Sequence, residues 1–142
     1  MKSEFGNYRE LFETLLENSN VVGIEGSARN GVSNKFVRYF QANTDKQVLR
    51  IPGEDTDGVV MAVSAMSRWL DFESMGIGMF ETVLFIDNAE KLHDMSVLSL
   101  KELLPKMDDE NYVIVLSGEK GSDWKGIKEL IGENMLRVEA RK

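Results

Sequence analysis

The chain has 142 residues, 42% of them hydrophobic, a formal net charge of -7 and no cysteine. That size and apolar content suit one domain able to bury about two-thirds of its unfolded surface, and they leave no basis for disorder, a disulfide framework or thiolate metal ligation. No apolar run nears the roughly 20 residues of a membrane span, no basic-then-apolar leader is seen, and the acidic balance argues against strong direct nucleic-acid binding. The expectation is a cytoplasmic protein, without membrane contact, whose partner is another protein.

In chain order, residues 4–17 place Phe5, Tyr8, Leu11, Phe12, Leu15 and Leu16 at three- and four-residue spacings, an amphipathic helix that Ser3 can cap. Residues 21–24 read as a strand, 26–31 as a turn, and a second helix begins at Val32 or Ser33 with Phe36, Val37 and Phe40 on one face. Residues 47–51 form the second strand, stopped by Pro52 and Gly53. A helix over about 58–70 directs Val59, Val60, Val63, Met66 and Leu70 inward. A loop with Gly76 and Gly78 leads to the most apolar strand, which opens the stretch TVLFIDNAEKL at 82–92. Asp94 caps a helix carrying Val97, Leu98, Leu100, Leu103 and Leu104, closed by Pro105. Strand four covers 112–116, a helix after Asp123 carries Ile127, Leu130 and Ile131, and 135–138 make a short fifth strand. Strands alternating with helices over short connections imply a parallel sheet covered on both faces.

The turn after the first strand has two readings. A phosphate-binding loop follows G-x-x-x-x-G-K-[ST]: backbone N–H groups cradle phosphate, the lysine neutralises it and the hydroxyl holds magnesium. Gly26-Ser27-Ala28-Arg29-Asn30-Gly31 keeps the glycine spacing and Ser33 the hydroxyl, but Val32 stands where the lysine belongs. Valine supplies no charge for a triphosphate, so ATP binding is expected to be weak, with Arg29 or Lys35 as partial substitutes. The same residues equally suit a plain strand-to-helix turn.

The strand at 82–87 ends in Asp87. In P-loop ATPases an aspartate there orients magnesium and a following glutamate often polarises water. Asn88 replaces that glutamate, and an amide can orient water without accepting its proton. Strand four runs into Ser117, where this architecture often carries a polar residue facing the γ-phosphate. The plainer reading makes Asp87 a turn residue capping the next segment.

GIEGSARNGVS, TVLFIDNAEKL and NYVIVLSGE together resemble the AAA+ branch of P-loop ATPases over nearly the whole chain. Residues 87–120 look most like the amino-terminal domain of the delta subunit of bacterial polymerase clamp loaders, which pairs an NAEKL turn and a leucine helix with a strand like YVIVLSGEK. The resemblance implies an α/β fold of three layers, with a parallel five-stranded sheet of the P-loop NTPase type in the order 5-1-4-3-2. The expectation is a single AAA+-like domain over 1–142 and, as a departure from the delta family, no helical lid or collar. That family has lost ATP hydrolysis. By resemblance, then, there is no catalytic residue, no metal and no expected cofactor, with ATP and magnesium at most weakly held, and Gly26, Gly31, Ser33, Lys35, Asp87, Asn88 and Ser117 are vestiges of a nucleotide site.

The same resemblance implies a partner. Delta domains wedge an apolar pair, usually Leu-Phe, from the loop before the central strand into a pocket on the sliding clamp, and Met79-Phe80 occupies the corresponding place. Both side chains have large buriable surfaces, and methionine adapts its shape. Packing inside, at the start of the strand, is the alternative. Met replaces the usual Leu, and the loop glycines are less eroded than in delta.

Other residues carry less. His93 follows a turn and reads as solvated, Asp108, Asp109 and Glu110 as a solvated connection, and Trp69 and Trp124 as packing. Asp55-Thr56-Asp57-Gly58 lacks the spacing and terminal glutamate of a calcium loop. The leading expectation is a non-catalytic AAA+-like interaction domain of a clamp-loader-type replication assembly, binding a sliding clamp or other clamp-loader subunits. The second is a weak ATP-binding ATPase or nucleotide switch completed by partners. The third is a receiver-like phosphoacceptor with Asp87 and Ser117 as its key positions, although Glu25 stands alone and 135–139 contains no lysine. A receiver would set the Glu25 and Asp87 strands side by side.

Overall fold

A computed structural model describes residues 8–74, 81–107 and 112–139. Its elements in chain order are α1 (Tyr8–Asn18), β1 (Val21–Glu25), α2 (Arg29–Asn43), β2 (Gln47–Pro52), α3 (Thr56–Ser74), β3 (Thr82–Asp87), α4 (Asp94–Leu103), β4 (Tyr112–Gly118), α5 (Ile127–Ile131) and β5 (Met135–Arg137). The five strands are parallel and ordered β2-β3-β4-β1-β5, the expected order read from the other edge. Because β4 separates β1 from β3, the receiver arrangement is excluded.

The three central strands, β3, β4 and β1, are buried on both faces, as strands of continuous Val, Ile and Leu require. On one side Val22, Ile24, Val83, Phe85, Val113 and Val115 meet Phe12 of α1 and Phe36 and Phe40 of α2. Phe12 stacks on Phe36 with ring centroids 4.0 Å apart, and Phe36 on Phe40 at 4.9 Å. On the other side Leu84, Ile86, Ile114 and Leu116 meet Val63 and Met66 of α3, Leu100 of α4 and Ile127 of α5. Every strand therefore delivers its carboxyl end, with Glu25, Asp87 and Ser117, to one edge of the molecule, where open α/β sheets place ligands.

Several boundaries differ from expectation. The second helix starts at Arg29 and not at Val32 or Ser33, because Asn30 and Gly31 continue into its first turn instead of standing open as a loop. α3 starts at Thr56 and extends to Ser74; Asp55 caps it, its carboxylate accepting the Gly58 N–H at 3.0 Å. The cap of α4 is His93, whose Nδ1 accepts the Met95 N–H at 3.2 Å, while Asp94 is the first helical residue and pairs with Lys125 at 2.6 Å. Leu98 and Leu130 point outward, 62% and 43% exposed, because the helical period gives the inward positions to Val97 and Leu100 and to Ile127 and Ile131. Ser3, the helix start at Glu4, and Asp108, Asp109 and Glu110 lie outside the described residues.

Candidate functional site at the carboxyl end of the sheet

β1 ends in Glu25, which is 4% exposed. Its two oxygens accept from Arg137 Nε of β5 at 2.7 Å and pair with Lys128 Nζ of α5 at 2.6 Å. Burial alone would push this carboxyl upward, but the hydrogen bonds and charges of Lys128 and Arg137 outweigh it and hold the group below its ordinary value. The acid thus fastens the edge strand β5 and the last helix to β1.

Gly26 follows with φ +123°, in the region that favours glycine, and a side chain there would run into the Val138 carbonyl. Three N–H groups of this turn are already engaged. Gly26 donates to the Gly118 carbonyl, Ala28 to that of Val138 and Arg29 to that of Gly26, each at 3.3 Å, and Val138 returns a bond to the Glu25 carbonyl at 2.7 Å. Gly31 lies in the first turn of α2 with open space where a Cβ would stand, so nothing nearby requires a glycine. Val32, at the lysine position of the phosphate-loop pattern, is buried in the core. Lys35 lies apart from this group, with its ammonium 5.4 Å from the centre of the Tyr8 ring.

Ser33 and Ser117 do meet. Both are buried, and the Ser33 hydroxyl donates to that of Ser117 at 3.2 Å. One residue along α2, Asn34 accepts from Arg50 Nη1 at 2.7 Å. Arg50 grips Asp87 with a fork, Nε to Oδ2 at 2.6 Å and Nη2 to Oδ1 at 3.2 Å, and lies over the Phe85 ring. A guanidinium holding both carboxylate oxygens is a strong, planar pairing that neutralises the acid. Asn88 adopts a left-handed conformation and donates to Glu54 at 3.3 Å. The Glu54 carboxyl lies below its ordinary value through its own backbone hydrogen bond, the Asn88 amide and Lys91.

The structure therefore brings Gly26, Ser33, Asp87, Asn88 and Ser117 to one end of the sheet and leaves Lys35 away from it. Met79 and Phe80 lie outside the described residues. Sequence reasoning missed Arg50 and Val138, which hold Asp87 and the Ala28 N–H. Arg50 had one usable signal: in the expected order β2 neighbours β3, and Arg50 shares the pleat parity of Pro52, the register partner of Asp87. Val138 acts through its backbone, which side-chain identity does not announce. Among the described residues no group of three or more His, Cys, Asp or Glu could hold a metal ion.

No protein-family model and no curated protein matches the sequence. The fold is nonetheless defined: it is that of an AAA+ P-loop ATPase domain. A DNA polymerase III gamma subunit-related protein from Thermotoga maritima superposes with a TM-score of 0.58 at 18% identity, over 96% of this chain and 46% of that one. The replication initiator DnaA bound to AMPPCP and single-stranded DNA superposes with a TM-score of 0.58 at 13% identity, over 93% of this chain and 45% of that one. The chain spans less than half the length of either. No helix among the described residues is long and apolar enough to cross a membrane.

Proposed function

We propose that this domain works through protein contacts in a DNA replication assembly, without turning over nucleotide, and that a sliding clamp is its partner. The observation that carries the non-catalytic part is the committed state of the Asp87 carboxylate. Magnesium needs free oxygens, and both are held by Arg50 while the Ser33 hydroxyl is turned to Ser117. In this arrangement the residues do not fit a magnesium nucleotide. Support for the replication setting comes from the fold shared with the gamma-related protein and DnaA, and from the delta-like stretch at 87–120. The acidic charge fits a protein partner better than a phosphate backbone.

Met79 and Phe80 are the proposed clamp contact. Replacing both by alanine is expected to abolish capture by an immobilised sliding clamp while thermal unfolding stays nearly unchanged. Full retention of capture by the double variant would sink the clamp assignment. The glycine spacing of residues 26–31 favours a second reading, a weak ATP-binding domain completed by partners. Calorimetric binding of magnesium-ATP that disappears in Asp87→Ala would select it.

A further inference from the structure

At the end of the sheet away from Glu25, Asp87 and Ser117, a cleft of about 770 Å³ opens where α1 and α2 finish and β1, β2 and β4 begin. Its floor is apolar, made by Leu16, Phe40 and Val113, and its α1 wall carries Glu13 and Glu17, one helical turn apart on the same face. Glu13 is joined to Arg9 by a solvated pair along the helix, and Glu17 meets no cation among the described residues. Lys46, also on the wall, is turned to Glu81 at 3.8 Å. Both helices end here without a basic residue in the last turn. The last carbonyls of α2, those of Tyr39 and Phe40, take neutral donors instead, the Asn43 amide and the Thr44 hydroxyl. Two helix carboxyl ends and two carboxylates thus make the mouth of an apolar cleft negative. Burial, with Glu13 beside it, holds the Tyr39 hydroxyl on the same wall above its ordinary value.

We propose that this cleft receives an arginine side chain of a partner protein, its methylene stem on Leu16, Phe40 and Val113 and its guanidinium at Glu17 and Glu13. A long cationic side chain is the group that matches both parts of the cleft, since its stem buries on apolar surface while its head stays at a charged, wet rim. The acceptors are spread over one turn of α1 and the ends of two helices, which suits a planar, many-donor guanidinium better than a compact, strongly hydrated ammonium. Arg9 is no obstacle, because its solvated pair with Glu13 is worth little and can be exchanged. The inference rests on the reading of this domain as one that works through protein contacts, and not on which protein that is.

The test titrates the full chain with the peptide acetyl-Gly-Gly-Arg-Gly-Gly-amide at low, matched ionic strength, where screening is least, and follows the amides by NMR. The Glu17, Asn18, Asn20 and Thr44 amides should shift saturably, and the counterpart peptide with uncharged citrulline should leave them unmoved. Glu17→Gln, a surface change, should weaken binding about three- to fivefold, whereas Glu129→Gln, on the exposed side of α5, should not. No saturable shift, an equal response to citrulline, or equal losses in the two variants would overturn the proposal. Tighter binding of free arginine or spermidine than of the peptide would also overturn it, by assigning the cleft to a small organic cation. Clamp capture is read separately through Met79 and Phe80: a clamp that is not captured leaves the peptide result standing, and an unresponsive cleft leaves the clamp result standing.

Discussion

Glu25 shows how a single buried charge is made tolerable. Its desolvation is offset by Arg137 on one oxygen and Lys128 on the other, and its carboxyl lies below the ordinary value of 4.5. A carboxyl that is more acidic folded than unfolded contributes stability above its unfolded value, and that contribution fades as pH falls through the lower, folded value. Glu25→Gln is therefore expected to cost about 1–3 kcal/mol at pH 7, measured by urea unfolding. The gap between the two proteins should close below about pH 4.5; a gap that stays constant into acid would show that the charge is not what matters. This pairing was not legible in the sequence, where Glu25 stands before a glycine turn and the nearest cation, Arg29, bonds instead to the Gly26 carbonyl and Glu90. Both partners arrive from the last part of the chain.

At the scale of elements, the pin that matters is the one on β2. This strand lies at the sheet edge, pairs only with β3, and exposes Leu49 at 44%. Its Pro52 lacks an N–H, as suits an edge position. Arg50 ties it both to β3, through Asp87, and to α2, through Asn34. The pair is partly solvated, with 35% and 20% of the two side chains exposed, so its worth is below that of a buried bridge. Arg50→Ala is expected to destabilise by about 1 kcal/mol and to speed amide exchange in β2 more than in β4. Uniform acceleration across the sheet would argue against a local pin. The helices themselves were readable from their periodicity, since Phe36 with Phe40 and Val59 with Val63 and Met66 mark the inward stripes. Their ends were less so: Asp55 and His93 cap through contacts that compete with equally good neighbours such as Asp94.

For the molecule as a whole, the sheet is the shared wall of two apolar layers. Phe12, Phe36 and Phe40 lie on one side, and Trp124, buried, and Trp69, which stacks 6.2 Å from Tyr112, lie on the other. Neither layer can persist once the strands between them separate. Unfolding followed by tryptophan fluorescence, which reports the α3 to α5 side, is expected to coincide with far-ultraviolet circular dichroism in a single transition. Two distinct midpoints would mean that the layers come apart independently. The same shared wall explains why topology decides so much here, because strand order sets which carboxyl-end residues can touch.

The sequence by itself determined the alternation of strands and helices, the parallel sheet with its strand order, and the end of that sheet where Gly26, Asp87 and Ser117 would gather. These follow from hydrophobic period and from the resemblance carried by three short stretches, which are local properties of the chain. Only the tertiary structure decided what those residues do to one another: that Asp87 is gripped by Arg50, that Ser33 faces Ser117, and that Val138 covers the glycine turn. The physical reason is range. Hydrogen bonds and ion pairs act over a few ångströms, and residues 28 and 138, or 25 and 137, become neighbours only once the sheet has placed β5 beside β1.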